Sequence, residues 1–194
     1  MTGDDGNTQM TEPAKAPPVT DALRAQAKAN PGTWVYAIDP GFDPAGTVPP
    51  HGIVGAWQSD AQGELGEEFT PNPDYLPTPQ ARGWAEPSSP LERVLQLVLC
   101  GYLPNARLAE EFAASTVFTY GRPGDGIFLA PAQDGGRLAY AFTDADKAAA
   151  SGSSDHQALT GADLAAALPE GVRIAVNPGA HVSAIVLPSA VLRS

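Results

Sequence analysis

The residues able to do chemistry in this chain are few and scattered. Cys100 is the single cysteine, so there is no internal disulfide framework, which fits a reducing compartment. It lies inside an apolar helical pattern, where burial raises a thiol pKa and makes it inert. His51, His156 and His181 fall in loop-like contexts, and none has a partner at a metal-ligand spacing. Asp39-Pro40-Gly41-Phe42-Asp43 offers two carboxylates to a calcium ion. Calcium takes about six to eight oxygens, often from alternate positions around a glycine turn. Here a proline follows each acid, the pattern by which aspartate opens a turn. There is no Gly-x-Ser-x-Gly elbow, phosphate loop or His-Glu-x-x-His helix. The expectation is no catalytic residue, no metal, no cofactor and no enzymatic activity.

A different signal comes from charge. Between Lys28 and Arg82 the chain has no lysine or arginine, yet it carries seven acids: Asp39, Asp43, Asp60, Glu64, Glu67, Glu68 and Asp74. The same stretch holds Trp34, Tyr36, Trp57 and Tyr75. Opposed potentials speed encounter and set register, and aromatic rings supply contact area with few lost rotamers. The candidate protein-binding residues are therefore Asp39, Asp43, Trp57, Asp60, Glu64, Glu67, Glu68, Asp74 and Tyr75. The competing reading is a solvated acidic face that serves solubility, over aromatics that point inward. Asn177-Pro178-Gly179 reads as a tight turn rather than a ligand loop, with proline fixing φ at the first corner and glycine taking the positive φ at the second.

The elements that must position these residues follow from composition and pattern. A chain of 194 residues makes one compact domain or two small ones. Its 43% apolar content suffices for a core. Twenty glycines and twenty prolines imply many turns. The net charge of −11 disfavours nucleic acid and anionic membrane. No apolar run approaches the roughly 18 residues of a membrane span, so no membrane insertion is expected. Met1–Thr11 has no basic or apolar leader pattern. A cytoplasmic protein is expected.

Residues 1–18 are polar and proline-bearing and read as a disordered tail. Thr20 suits the N-cap of a helix over Asp21–Ala29, stopped by Asn30-Pro31-Gly32. Thr33–Ile38, Gly52–Gln58 and Glu64–Thr70 read as strands, the last two joined as a hairpin. Pro71, Pro73, Pro77 and Pro79 forbid regular structure through Arg82. Ser89-Pro90-Leu91-Glu92 opens a helix with a cap, an N1 proline and a capping box. Leu91, Val94, Leu95, Val98, Leu99 and Tyr102 line one side of it and Leu97 and Cys100 the other, so it is expected buried between two layers until Gly101 ends it.

Beyond it, Asn105–Ala114 reads as a helix with Leu108 and Phe112 inward. Thr116–Tyr120, Gly126–Ala130 and Arg137–Phe142 read as strands. Thr143 is placed to cap a short helix, and Thr160 opens another that Pro169 stops. Val172–Val176 and Val182–Leu187 are strands around the Asn177 turn. Short connections favour hairpins over βαβ crossovers. The fold class expected is α+β, antiparallel-dominated, with flanking helices. Its parts are the tail 1–18, an acidic proline-rich unit 19–103 and an α+β domain 104–194. Each unit reads as helix, three strands, helix, packed through the Leu91–Tyr102 helix.

Two segments carry a family resemblance. Asp134–Thr143, a glycine turn releasing a strand that ends at a threonine, and the Asn177-Pro178-Gly179 turn between strands resemble the N-terminal domain of the SseB family. In the first half, Asn30–Pro40, Val48–Trp57 and Phe69–Tyr75 with Pro77-Thr78-Pro79 resemble the actinobacterial type VII secretion system-associated proteins, in which such a unit precedes an SseB-like segment. Together the resemblances cover about residues 20–194. They imply a non-enzymatic accessory role as adaptor, chaperone or regulator, with a secretion substrate or component as protein partner. They supply no catalytic residue. The alternative is an immunity protein that neutralises a co-encoded secreted toxin, since an acidic surface suits a basic toxin.

Overall fold

The computed structural model describes residues 15–152 and 155–192, and most of the expected tail lies outside them. The chain divides into two compact units between Ala81 and Arg82. The division expected after residue 103 is thus too late, because Leu91 and Leu95 pack with Leu108 and Phe112 in the core of the second unit.

The first unit is helix α1 (Asp21–Ala29) and strands β1 (Trp34–Ile38), β2 (Ile53–Ser59) and β3 (Leu65–Pro71). The strands form one antiparallel sheet in the order β1-β2-β3. Thr20 caps α1 by accepting from Leu23 N at 3.3 Å. Val19 and Leu23 pack on a small core of Ala37, Val54 and Trp57, closed by Leu65, Phe69 and Tyr75. Asp60 orders the β2–β3 turn, its Oδ1 accepting from Gln62 N (2.9 Å) and Glu64 N (2.8 Å). Asn72 Nδ2 donates to Pro50 O and Ile53 O, both at 2.8 Å, so the proline-rich run beyond β3 is tied back to the sheet.

The second unit holds α2 (Pro90–Leu99), α3 (Asn105–Ala114), β4 (Thr116–Tyr120), β5 (Leu129–Pro131), β6 (Arg137–Ala141), α4 (Ala145–Ala150), β7 (His156–Thr160), α5 (Gly161–Ala167), β8 (Val172–Val176), β9 (Ala184–Val186) and α6 (Pro188–Val191). One sheet runs β5-β6-β8-β9, and β4 pairs with β7. A bridge between Phe118 and Phe142 joins the two. The class is α+β and mainly antiparallel, but β6 and β8 are parallel, through a β6-α4-β7-α5-β8 crossover. The outline expected to be common to both halves does not hold. β1, β2 and β3 form a meander, whereas β4 leaves its neighbours to pair with β7, a strand not anticipated. Leu91, Leu95, Phe112, Leu164 and Ile174 make the centre of the core. Gly161 must be glycine there, since a Cβ would stand 1.8 Å from Phe112 O.

α2 is not apolar all round. Leu99 is 39% exposed, while Glu92 and Gln96 are buried. The helix turns its polar pair inward because both find partners: Gln96 Nε2 donates to Ala85 O (2.9 Å), and Glu92 accepts from Ser88 and Lys147. Ser89 does cap the helix, accepting from Glu92 N at 3.2 Å. The Glu92 carboxylate reaches the N–H of Ser88 (2.8 Å) rather than that of Ser89, so the expected box is displaced by one residue. Asp144, not Thr143, caps α4, accepting from Lys147 N at 2.8 Å. Thr143 is instead buried against Asn177, donating its N–H to Asn177 Oδ1 (3.0 Å). The Asn177 turn forms as expected, with Ala180 N donating to Asn177 O (3.1 Å) and Gly179 at φ +81.

Candidate functional site

The sheet of the first unit has two unlike faces. In β1, Val35 and Ala37 point to the core while Trp34 and Tyr36 point out, 46% and 47% exposed. Across the sheet, Tyr36 stands opposite Ala56, which stands opposite Thr70. Trp34 stands opposite Gln58. The central position is therefore a methyl group between taller neighbours, and the face is a trough. Trp34, Tyr36, Pro50, Ile53, Ala56 and Pro71 line this shallow groove of about 340 Å³. At Trp34 it runs into a second depression whose walls carry Asp60, Glu64, Glu67 and Glu68.

The acids expected to bind a partner separate into two sets. Asp43, Asp60, Glu64, Glu67, Glu68 and Asp74 are exposed. Alternation sets Glu67 with the half-buried Leu65 and Phe69, yet its side chain stays in solvent on the edge strand. Among the described residues, Lys28 approaches Glu64 at 3.7 Å, and both are well exposed, so the contact is worth little. No cation pairs with Glu67 or Glu68 among the described residues.

Asp39 and Trp57 are buried, and Tyr75 is half-buried against the core. Trp57 is core, its ring 4.7 Å from that of Phe69. Asp39 is fully buried and anchors the proline-rich run. Its Oδ1 accepts from Gly41 N (2.8 Å) and Thr78 Oγ1, and its Oδ2 from Tyr75 Oη (2.7 Å) and Thr78 N (3.0 Å). Burial pushes this carboxyl up, but the Thr78, Gly41 and Tyr75 donors outweigh it and hold Asp39 below its ordinary range. These donors occupy both oxygens, which argues against the calcium reading of the Asp39–Asp43 turn. Asp43 makes an ordinary turn, accepting from Ala45 N at 2.9 Å. Trp34-Val35-Tyr36-Ala37 is apolar on both faces of β1, and in this three-stranded sheet the Trp34 and Tyr36 face is left uncovered.

The second unit holds a polar cluster with the appearance of a Ser–Lys dyad. Lys147 Nζ donates to Ser88 Oγ (2.9 Å), Glu92 Oε2 (3.0 Å) and Asp144 Oδ2 (2.6 Å). Burial pulls the ammonium down, but its bonds and charge contacts with Asp144 and Glu92 prevail and raise its pKa. A lysine held protonated cannot take a proton from Ser88. Asp144 is lowered to about 2: burial acts against this, and Lys147 and Ser88 overcome it. The cluster ties the start of α2 to α4. Replacing Lys147 by Met is expected to cost about 2 kcal/mol in chemical denaturation, less than a fully buried pair because Lys147 stays 31% exposed. The Asp144 contribution is complete above its ordinary pKa of 3.8 and is lost as pH falls towards 2. The variant should show a flatter acid limb over that interval, and an acid limb like that of the parent would contradict the assignment.

Cys100 is buried at the end of α2. His51 packs its ring against Phe42 and His156 against Phe118. Among the described residues no group of three or more His, Cys, Asp or Glu is placed to hold a metal, and no helix is long and apolar enough to cross a membrane. Compared with family models, curated proteins and solved structures, the chain matches none.

Proposed function

We propose that the protein is a non-enzymatic, cytoplasmic protein-binding module, acting as adaptor, chaperone or regulator in type VII secretion. The observation that carries the binding role is the outer face of the β1-β2-β3 sheet, where Trp34 and Tyr36 stand in solvent beside Asp60, Glu64, Glu67 and Glu68. Two large rings exposed on one small sheet cost solubility unless a partner covers them. The secretion setting rests on the resemblance carried by Asn30–Pro40, Val48–Trp57 and Asn177–Gly179. The same acidic face also suits an immunity protein against a basic toxin, and a toxin gene beside this one would favour that reading.

The test uses the partner captured from the native host and the variant Glu64→Gln, Glu67→Gln, Glu68→Gln. All three side chains are exposed, so the variant should melt as the parent does. Association should slow by about tenfold at low salt, and its salt dependence should flatten, because rim charges act on the on-rate. An unchanged on-rate and salt slope in the folded variant would reduce the acids to a solubility feature.

A further inference from the structure

The trough on the outer face constrains what can fill it. Its occupant is not a second copy of this chain, because net charge is −11 and face-to-face packing would oppose two acidic rims. The chain's first eighteen residues carry Asp4, Asp5 and Glu12 against Lys15, so their charge does not complement the acidic rim. A small molecule would leave most of its surface in water on so shallow a face. The remaining fit is a cationic peptide that gains affinity without deep burial. Such a peptide must lose little entropy on binding, which is the property of a preformed polyproline II helix.

The geometry agrees. Trp34 and Tyr36 occupy consecutive positions on the same face of β1, about 7 Å apart along a strand. Ala56 leaves the floor low, and Pro50 and Pro71 wall the trough. Trp34 belongs to both the apolar trough and the acidic depression. A cation placed there meets the Trp34 ring face and lies on the side of β3 that carries Glu68, within the acidic depression. We infer that the outer face of the β1-β2-β3 sheet binds a proline-rich, polyproline II segment of a partner protein, with prolines on Tyr36 and Trp34 and a flanking arginine or lysine over Trp34 towards Glu68. This rests on the protein-binding reading above and names the chemistry of its partner.

The experiment has two arms on the full chain. In the first, a labelled peptide of eight prolines followed by two arginines is titrated, with the same peptide ending in two glutamates as control. Saturable binding is expected for the cationic peptide only. It should weaken at least tenfold in Trp34→Ala and in Thr70→Arg, which places a cation in the trough on an exposed edge-strand position. Thermal melting verifies that each variant is folded. Absent or equal binding of the two peptides, or binding unaffected by both folded variants, overturns the inference. In the second arm, random displayed peptides are selected on the parent and counter-selected on the Trp34→Ala, Tyr36→Ala variant. Selected sequences with proline beside Arg or Lys support the inference. Trough-dependent sequences lacking that pattern overturn the peptide chemistry and leave the binding face standing. No trough-dependent sequence overturns both.

Discussion

Leu95→Ala should destabilise the second unit by about 3–4 kcal/mol, with little change in the denaturant slope. Leu95 is fully buried and sits among Leu91, Leu108, Phe112 and Val117 in the larger core. Two features limit relaxation around the deleted atoms. Gly161 already brings α5 against the backbone of Phe112, so α3 is fixed on that side. Glu92 and Gln96, on the adjoining face of α2, are held by Ser88, Lys147 and Ala85. A helix pinned on two sides cannot collapse into the space, and the full cavity term should appear. A midpoint shift worth less than about 1 kcal/mol would contradict this packing.

Asp39→Ala should cost about 3 kcal/mol in the first unit. The change removes an ionised acceptor and leaves the Tyr75 hydroxyl, the Thr78 N–H and hydroxyl and the Gly41 N–H without it. Each buried polar group so left costs about 1–3 kcal/mol before water enters. Asp39→Asn should fall between, since an amide oxygen can serve one pair of donors and its NH₂ opposes the other. The pH dependence has a definite sign. A carboxyl lowered by folding contributes stability that is complete above its ordinary value of 3.8 and disappears as pH falls through the lower folded value. The parent should therefore lose first-unit stability below about pH 4, and Asp39→Asn should lose less. Amide exchange of β1 and the 72–81 segment reads the first unit specifically. Equal acid sensitivity of parent and variant would contradict the network.

Local chemistry was legible in the sequence, and distant pairing was not. Thr20, Ser89 and Thr160 cap their helices where the pattern places them, because a cap is decided within four residues. The Asn177 turn is equally local. β7 gives no local signal because His-Gln-Ala-Leu-Thr has one bulky apolar residue, and β4, some forty residues earlier, supplies its pairing. The parallel β6–β8 pair depends on a crossover that spacing alone does not specify. The same limit explains the site. The partners of Asp39 are Tyr75 and Thr78, 36 and 39 residues away, so an acid counted as surface charge is a buried anchor. Alternation along β1 separates Trp34 and Tyr36 from Val35 and Ala37, but only the sheet decides which pair faces out.

Site-specific photocrosslinking in the native host tests the docking face most directly. A photoreactive phenylalanine analogue replaces Tyr36, and separately Gln80 and Phe128, two other exposed positions. Position 36 should yield one discrete adduct, absent at 80 and 128, and weakened when Glu64, Glu67 and Glu68 are glutamine. An adduct formed equally at 128, or none at 36 while another position crosslinks, would contradict the assignment of this sheet face as the binding surface.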